Sequence, residues 1–535
     1  MLLLQPTLHH QQVSFTSSLT SYFHSLQWKN PHVTPAQTVN HQKLTVTCCI
    51  SKIHNYGTVD YERRPPIRWN QIYRRISLMD NPELGAGSIL DELEKERKQL
   101  AKRDLCRVVK ELRKFKRHRQ ALEVYEWMSG RGRYKLVGSD VAIQLDLIAK
   151  VRGVSSAEEI FRSLSSYRLK DKRVYGAMLN AYARERMRDK AEDLLSEMKS
   201  KGFEVLALTY NVMMTLYMNL KMFDKVHSLV SEMMENGTPL DLYTYNIWIS
   251  CCGSEGSVEK MEQVFDQMRS DKSVIPNWST FSTLATFYCK MGLFEKAEYC
   301  LRKVESRITG RDRTPYHYLL SLYGNIGKKE EVHRIWNIYK AVFPTIPNLG
   351  YHAIISSLVR MDDIEGAEKL FEEWLSNKVS FDPRMGNLLM GWYVKAGNFD
   401  QAESIFDHLS ELGQKPNAMT WDILAEGHIA ERRISDALSC YEKAFAAAVS
   451  ERWTPKPVNI ASFFMLCEEE ADVASKNVLV RLLRQSGCLK DKKFASLVGL
   501  SDADDELSAE ENGITDENEE GNEENEGSEM LLSQF

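Results

Sequence analysis

The sequence repeats itself every 34 to 36 residues, and this period constrains the fold more than any other feature. A small or slim side chain recurs at this interval at Ala121, Ala157, Ala191, Val226, Met261, Ala297, Val332, Ala367, Ala402 and Ala437. Such periods are typical of repeat proteins, in which each unit packs only on its neighbours. The middle of the chain is therefore predicted to be a repeat array rather than one globular core.

Bulky apolar side chains follow each small residue at fixed distances. The side chains four positions after the small residues are Tyr125, Phe161, Leu195, Val230, Phe265, Leu301, Trp336, Phe371, Phe406 and Tyr441. The side chains seven positions after the small residues are Met128, Leu164, Met198, Met233, Met268, Val304, Tyr339, Trp374, Leu409 and Ala444. Offsets of zero, four and seven share one helical face, and the small residue lets a neighbouring helix approach closely. Each unit is thus predicted to contain one amphipathic helix with this face buried.

Another apolar stripe precedes each of these helices. In one unit Tyr210, Met213, Met214 and Tyr217 form this stripe, and the chain then turns near Lys221. Equivalent turns carry glycine at Gly256, Gly292, Gly327 and Gly397, as a left-handed turn favours. Each unit is predicted to be a helical hairpin. The predicted fold is all-α, an α-solenoid superhelix of about ten 35-residue helical-hairpin repeats with a concave groove.

The beginning of the chain has the composition of a targeting segment. Residues 1–59 contain no acidic residue and are rich in Ser and Thr, so residues 1–50 are predicted to be an organelle transit peptide. No arginine occurs before Arg63, which favours the chloroplast, with the mitochondrion as the alternative. A disordered leader without a targeting role is the other interpretation. Residues 60–101 are predicted to form a helical lead-in, and residues 102–487 about ten repeats plus a partial one.

The end of the chain is strongly acidic. Residues 502–529 hold fourteen Asp or Glu, and no basic residue follows Lys493. Because such a tract buries too little apolar surface to fold, residues 494–535 are predicted to be a disordered acidic tail. The tail either keeps the chain in solution or binds a protein partner. The formal charge of −5 divides into +3 for residues 1–59, +6 for residues 60–493 and −14 for the tail, so the array is mildly basic.

The composition argues against several classes of protein. The ten cysteines include no CxxC pair, which favours buried thiols in a reducing compartment over disulfides or a zinc site. No glycine-rich phosphate loop, HExxH or GxSxG motif is present, so we expect neither catalysis nor a cofactor or metal. No apolar stretch approaches the length of a membrane span, and we expect a soluble monomer.

Two units carry a resemblance to a known family. Residues 207–241 end in "SLVSEMMENGTPLD" and residues 383–417 end in "SIFDHLSELGQKPN". Both resemble pentatricopeptide repeats, and the segment "ELRKFKRHRQALEVYEWM" at Glu111–Met128 is similar to the plant organellar P-class, which consists of plain 35-residue units. The tetratricopeptide repeat is the alternative, but the Trp-x₂-Leu-Gly of its first helix lacks a matching glycine here.

This resemblance implies binding of single-stranded RNA, one base per repeat, read by the fifth and the last residue of each repeat. It assigns Asn211 with Asp241 to uracil, Asn246 with Asn277 and Asn387 with Asn417 to pyrimidines, and Ser282 with Asp312 to guanine. An amide offers both a donor and an acceptor to a base edge, whereas a carboxylate only accepts. Polar residues at turns and helix starts are the alternative interpretation. The repeats that contain Gly176, His317 and Asp422 fit no familiar pair.

Basic residues offer candidates for contact with the RNA backbone. Arg184, Lys290, Arg360 and Lys395 share the thirteenth place of their repeats, where the resemblance implies a phosphate contact. Their alternative role is to complement the helix dipole. The segment Lys95–Arg119 carries a net charge of +9, which indicates either an electrostatic docking site for RNA or a solvated helix face.

Two functions follow from these observations. The leading hypothesis is an organellar single-stranded RNA-binding protein that acts by occupancy in transcript stabilisation, processing or translation. The alternative is a helical scaffold that binds protein in the same groove, with little RNA specificity.

Overall fold

The structure, a computed structural model, describes residues 68–79, 84–96, 98, 100–164, 170–203, 205–377, 381–448 and 453–498. The predicted transit peptide and the acidic stretch 502–529 lie outside the described residues. The chain divides into two compact units, and their boundary falls between Cys251 and Cys252. The part before this boundary is called the first unit below, and the part after it the second unit.

Helices account for most of the described chain. In the first unit they are α1 (Trp69–Ser77), α2 (Gly85–Lys95), α3 (Lys102–Lys114), α4 (His118–Ser129), α5 (Gly138–Val151), α6 (Val154–Ser163), α7 (Lys172–Arg184), α8 (Arg188–Ser200), α9 (Ala207–Asn219) and α10 (Phe223–Glu235). Helix α11 (Leu242–Ser254) contains the boundary between the units. Helices α1 and α2 occupy the predicted lead-in, and α3 begins where the array was predicted to begin.

The second unit continues the same alternation. Its helices are α12 (Val258–Ser270), α13 (Trp278–Lys290), α14 (Phe294–Glu305), α15 (Thr314–Asn325), α16 (Lys329–Val342), α17 (Asn348–Arg360), α18 (Ile364–Asn377), α19 (Arg384–Lys395), α20 (Phe399–Glu411), α21 (Ala418–Ala430), α22 (Ile434–Ala448), α23 (Pro457–Glu469), α24 (Val473–Gln485) and α25 (Lys492–Val498). A short 3₁₀ turn, Cys488–Lys490, precedes α25. The predicted partial repeat is a complete hairpin, α23 with α24.

Hairpins stack in the same way within each unit. In the first unit α5 packs on α7 and α7 on α9, so the first helices of successive hairpins form one layer. In the second unit the corresponding series runs from α13 through α15, α17, α19 and α21 to α23. Each hairpin therefore covers the apolar face of its neighbour, and the all-α hairpin-repeat fold is confirmed in both units.

The predicted small-residue positions form the centre of the packing. All ten side chains, from Ala121 to Ala437, have an exposed fraction of 0%. The bulky residues four and seven positions on are buried as well, except Leu164, Phe265 and Phe406, which are half-buried. The predicted buried face of the second helices is thus confirmed.

The turn inside each hairpin requires a left-handed backbone. Gly256, Gly292, Gly327 and Gly397 have φ between 74° and 79°, as their sequence positions predict. Non-glycine residues take the same conformation in other hairpins, and Lys221 has φ of 56°. The turn geometry is therefore set by the hairpin rather than by the glycine, although glycine adopts it at lower energetic cost.

A polar contact between neighbouring hairpins recurs beside the apolar layer. In the first unit the Tyr217 hydroxyl donates to Glu192 Oε1 at 2.7 Å. In the second unit the Tyr288 hydroxyl donates to Glu262 Oε1 at 2.8 Å, and Lys296 Nζ lies 2.6 Å from the same oxygen. These bonds satisfy the phenol groups at the rim of the core and fix the spacing of adjacent hairpins.

The last helix crosses the predicted start of the acidic tail. Helix α25 extends to Val498, and Phe494 is buried in the hydrophobic cluster at the end of the second unit. The array therefore ends with an apolar contact of Phe494, inside the segment predicted to be the tail, and residues 499–535 lie outside the described residues. The eight described cysteines are buried or half-buried free thiols, as predicted.

A close helix approach at a glycine gives a test of the packing. A Cβ added at Gly427 in α21 would overlap the Phe399 ring of α20, whereas one at Gly391 in α19 would meet its nearest atom, Ile423 Cδ1, at 3.8 Å. We expect Gly427→Ala to lower the free energy of unfolding by about 1–3 kcal/mol because the core is overpacked. Gly391→Ala, the matched control, should be neutral or stabilising by up to about 1 kcal/mol. Denaturant titration of both variants measures this, and equal stabilities would contradict the packing described.

Candidate nucleic-acid interface

Asn211 and Asp241 lie in direct contact in the first unit, as a reader pair would. Asn211 is the fifth residue of α9, and Asp241 directly precedes α11. The Asn211 amide nitrogen donates to Asp241 Oδ1 at 3.2 Å. Thr244 donates its backbone N–H to Asp241 Oδ1 at 2.8 Å, and its hydroxyl lies 2.9 Å from Asn211 Oδ1. The threonine therefore holds both predicted readers in one arrangement.

The second unit repeats this arrangement with different residues. The Asn387 amide nitrogen donates to Asn417 Oδ1 at 3.1 Å. The Thr420 hydroxyl lies 2.8 Å from both Asn387 Oδ1 and Asn417 Oδ1, and the Thr420 N–H donates to Asn417 Oδ1 at 2.9 Å. Asn387 has an exposed fraction of 9% and Asn211 of 8%, so both amides are ordered by neighbours rather than by solvent.

The threonine is a contact of the predicted readers that the sequence pattern did not indicate. Thr244 and Thr420 are each the third residue of the following first helix, and Thr280 occupies the same place in α13. Thr280 donates its N–H to Asn277 Oδ1 at 3.2 Å. The signal was present in the sequence as a Thr three residues after Asp241, Asn277 and Asn417, whereas Pro315 stands at this place after Asp312. Its side chain, however, joins the next hairpin to the preceding one, which a linear pattern does not reveal.

The other predicted reader pairs are placed differently. Ser282 is fully buried and donates its hydroxyl to the Trp278 carbonyl at 3.0 Å. Asp312 is exposed and accepts the Thr314 N–H at 3.0 Å, so the described hydrogen bonds of this pair stay within their own segments. Asn246 is fully buried in the first unit, and Asn277 caps α13 in the second. The guanine pair Ser282 with Asp312 is therefore not preassembled.

His317, a fifth-position residue that fits no familiar pair, is part of the core. It is buried, with Nε2 2.9 Å from the Tyr339 hydroxyl. Burial lowers the pKa of His317 to about 4, so the imidazole is neutral at physiological pH. This hydrogen bond engages one of the two ring nitrogens that could contact a base.

The predicted phosphate residues all end the first helix of their hairpins. Lys290 and Lys395 are exposed. Arg360 NH1 donates to Asn325 Oδ1, a residue at the same place in the preceding hairpin. Arg184 differs, because its side chain is only 18% exposed and its NH1 lies 3.7 Å from Asp146 Oδ1.

The basic segment Lys95–Arg119 is partly neutralised. It includes the whole of α3. Lys102 pairs with Asp140 at 2.6 Å, and Arg113 pairs with Asp146 at 3.0 Å. Part of this charge therefore holds adjacent hairpins together.

The structure identifies the last-position residue of the repeat that contains Asp422, which the fixed period did not. Asp422 is the fifth residue of α21, and Lys456 directly precedes α23, the place that Asp241 and Asn417 occupy in their repeats. Lys456 Nζ lies 2.9 Å from Glu426 Oε2, which also accepts from Asn459 Nδ2 at 3.1 Å. The repeat is longer than 35 residues at this point, so a fixed spacing could not identify Lys456.

The environment of the Asp422 carboxyl group disfavours its ionised form. It has an exposed fraction of 0%, and within the described residues neither oxygen accepts a hydrogen bond. Burial raises the pKa of Asp422 to about 6, although Lys456 acts in the opposite direction. A fifth-position carboxylate with this environment accepts hydrogen bonds when ionised and donates one when protonated.

This burial predicts a pH-dependent stability. Because the pKa of Asp422 is higher in the folded than in the unfolded chain, stability falls as the pH rises from about 4 to about 6 and stays reduced above that range. We expect Asp422→Asn to raise the free energy of unfolding by about 2–3 kcal/mol at about pH 7.5, and to have little effect at about pH 4. Denaturant titration at both pH values measures the difference. Asp400→Asn, at an exposed position in α20, should change neither value, and an equal gain for both variants would contradict the assignment.

Comparison with known sequences matches these repeats to a known family of repeat proteins. A profile described as PPR repeat family matches residues 207–254, and one described as PPR repeat matches residues 173–203, 243–273, 279–307, 351–379 and 387–414. A pentatricopeptide repeat-containing protein of Arabidopsis thaliana is 56% identical over 94% of this chain and 95% of its own. A mitochondrial pentatricopeptide repeat-containing protein of the same plant is 34% identical over 78% of this chain and 85% of its own. The large ribosomal subunit protein mL101 (rPPR4) of A. thaliana is 38% identical over 77% and 84%.

Solved structures with a similar fold include the pentatricopeptide repeat protein PPR10 from maize. It is 16% identical, with a TM-score of 0.49, over 78% of this chain and 62% of that chain. PPR10 in complex with an 18-nt psaJ RNA element is 19% identical, with a TM-score of 0.48, over 77% and 60%. This chain spans about three fifths of the length of these two structures. From its repeats and its relatives, the chain belongs to the pentatricopeptide repeat family.

Proposed function

We propose that this protein binds single-stranded RNA through the fifth and last residues of its hairpins and acts by occupying the transcript. The observation that carries the proposal is the reader arrangement that recurs in the two units. Asn211 with Asp241 and Asn387 with Asn417 present the same geometry, each pair supported by a threonine from the next helix. A repeated polar arrangement matches the chemistry of one base per repeat.

A role limited to helix capping does not account for the whole arrangement. Asn417 already caps α21 through Thr420, and this bond needs no residue from the preceding hairpin. The amides of Asn211 and Asn387 nevertheless donate to Asp241 and Asn417 from the first helix of the preceding hairpin. An amide beside a second acceptor offers both donor and acceptor to a pyrimidine edge.

Exposed apolar side chains at the second position of three first helices support the binding of bases. Leu208, Leu349 and Val458 are the second residues of α9, α17 and α23, with exposed fractions of 58%, 38% and 74%. Apolar surfaces of this kind pack against the faces of unstacked bases. We infer a short core of base-reading repeats that favours pyrimidines, flanked by repeats that contact mainly the RNA backbone.

The proposed mode of action is occupancy rather than catalysis. A bound repeat array blocks exonucleases, keeps a hairpin open or presents the transcript to a processing or translation factor. We propose an organelle as the site of action. The arginine-free leader favours the chloroplast, whereas several relatives with mitochondrial names favour the mitochondrion.

A second candidate is a permanent place in a large ribonucleoprotein. The similarity to a protein named as a large ribosomal subunit component motivates it. Cosedimentation of the protein with the organellar large ribosomal subunit in gradients would favour this role, whereas recovery in small complexes with transcripts would favour the first.

The base-reading role is tested by a single substitution with Asp241 retained. Serine with aspartate is the combination that the family resemblance assigns to guanine, so Asn211→Ser should move the preference at one base from uracil toward guanine. We expect the uracil-to-guanine affinity ratio to change by about tenfold or more, since a well-formed base contact discriminates by about 1–3 kcal/mol. Binding of oligonucleotides varied one position at a time measures this ratio.

Asn236→Ser is the matched control, since Asn236 lies in the same repeat but is exposed in the turn after α10. It should leave the ratio unchanged. An unchanged preference in the folded Asn211→Ser protein would contradict base reading. Weak binding that ignores sequence and disappears by about 200 mM salt would instead favour the protein-scaffold alternative.

A further inference from the structure

An unusual group of charges lies in the first unit where three successive hairpins meet. Asp146 of α5 is its centre, and Lys150 Nζ and Arg113 NH2 each lie 3.0 Å from its carboxylate. Arg184 at the end of α7 approaches the same carboxylate at 3.7 Å. Lys116 in the turn between α3 and α4 and His118, the first residue of α4, complete the group, and His118 interacts electrostatically with Asp146 and Lys116. These six residues, Arg113, Lys116, His118, Asp146, Lys150 and Arg184, are called the Asp146 cluster.

The Asp146 cluster is largely removed from water. Asp146 has an exposed fraction of 5%, and the side chains of Arg113, Lys150 and Arg184 are 12%, 12% and 18% exposed. Lys116 Nζ and Arg184 NH2 are buried and, within the described part of the chain, have no hydrogen-bond acceptor. Donors of this strength are normally satisfied when buried, so acceptors are missing from the cluster.

The charges of the cluster do not balance. Arg113, Lys116, Lys150 and Arg184 are cations, while Asp146 is the only carboxylate within it. Glu185 pairs with Arg184 Nε at 3.1 Å from an exposed position, so two positive charges remain even when Glu185 is counted. Burial lowers the pKa of Lys116 to about 8 and that of His118 to about 4. These shifts are the response of basic groups that lack an anion.

The missing component is an anion with several oxygen acceptors and a charge near −2. A phosphodiester carries one negative charge, whereas a terminal phosphate monoester carries about −1.5 to −2 at neutral pH. Guanidinium and ammonium groups that converge from different helices suit the three free oxygens of such a group. The contact of Arg184 with Asp146 is the longest in the cluster, so Arg184 is the cation most readily released to a ligand.

The position of the cluster in the array agrees with a strand end. Its residues come from α3, the α3–α4 turn, the start of α4, α5 and α7, which belong to the first three hairpins of the array. A strand bound along the repeats places a terminus at an end of the array. Lys150 also holds the thirteenth place of its hairpin, as Arg184 does, although the sequence analysis did not single it out.

We propose that the Asp146 cluster binds the terminal phosphate of an RNA strand. This inference rests on the proposed function and adds to it a preference for one chemical form of the RNA end. Lys116 and Arg184 contact the phosphate oxygens, while Asp146 holds Arg113 and Lys150 in position around them. The protein thereby distinguishes a phosphorylated end, such as a nuclease leaves, from a hydroxyl end.

The test uses the full chain and one oligonucleotide sequence in three forms, with a 5′-phosphate, with a 3′-phosphate, and with hydroxyls at both ends. Fluorescence anisotropy at constant salt measures the three affinities. One phosphorylated form should bind about tenfold more tightly than the hydroxyl form, since charge-assisted hydrogen bonds are the strong ones. The identity of that form shows which strand end the cluster holds.

Two variants assign the gain to the cluster. In Lys116→Gln and in Arg184→Gln, the phosphorylated and the hydroxyl-ended strand should bind with affinities within about twofold of each other, so that each variant loses most of the gain. Lys116→Gln breaks no ion pair of the described residues, so it tests the site even if Arg184→Gln fails to fold. Arg188→Gln is the matched control, because Arg188 is exposed and pairs with Asp189 at 2.7 Å.

The outcomes separate this inference from the proposed function. Equal affinity for all three forms, or a gain that survives in both cluster variants, overturns the phosphate site and leaves RNA binding intact. Failure of every form to bind, the hydroxyl-ended strand included, overturns the proposed function and the phosphate site with it.

Discussion

The structure depends on the close approach of helices at one fully buried side chain in each repeat, which is alanine in seven of the ten repeats. Ala121, Ala191, Ala297 and Ala437 illustrate it, each with an exposed fraction of 0%. A larger side chain at these alanines would push adjacent hairpins apart. The reader pairs depend on the present distance between hairpins, because each pair joins one hairpin to the next. The bond from Thr420 to Asn387 spans 2.8 Å, so a shift of one ångström in the packing would break it.

Much of the fold follows from the sequence because the repeats depend on local rules. An apolar stripe, a small residue and a left-handed turn recur together, and each is imposed by helix geometry within about 35 residues. The turn at Lys221 shows that the hairpin fixes the backbone even without glycine. The end of the array was harder to place, because Phe494 joins the core just before an acidic stretch whose composition dominates the pattern.

The site was only partly predictable, for a physical reason. The positions of Asn211 and Asn387 follow from a fixed register, but their hydrogen bonds depend on how one hairpin sits on the next. Thr244 was missed because its hydroxyl acts across that junction. Lys456 was missed because a longer connection shifts the register, and Ser282 turns back to its own helix instead of meeting Asp312. Interactions between repeats are therefore the part that periodicity alone does not determine.

The net charge of −5 conceals an uneven distribution that matters for binding. The acidic residues concentrate after Lys493, whereas residues 60–493 carry +6. Within the array some cations are neutralised by carboxylates between hairpins, as Lys102 is by Asp140, and others converge with too few carboxylates, as around Asp146. The charges left without partners indicate a polyanion more directly than the whole-chain sum does.

The most direct test is to recover the tagged protein from purified organelles after crosslinking and to sequence the RNA bound to it. RNA binding by occupancy predicts that one or a few transcripts are enriched, with footprints centred on a short pyrimidine-rich stretch. Recovery of partner proteins without any enriched transcript would contradict the account.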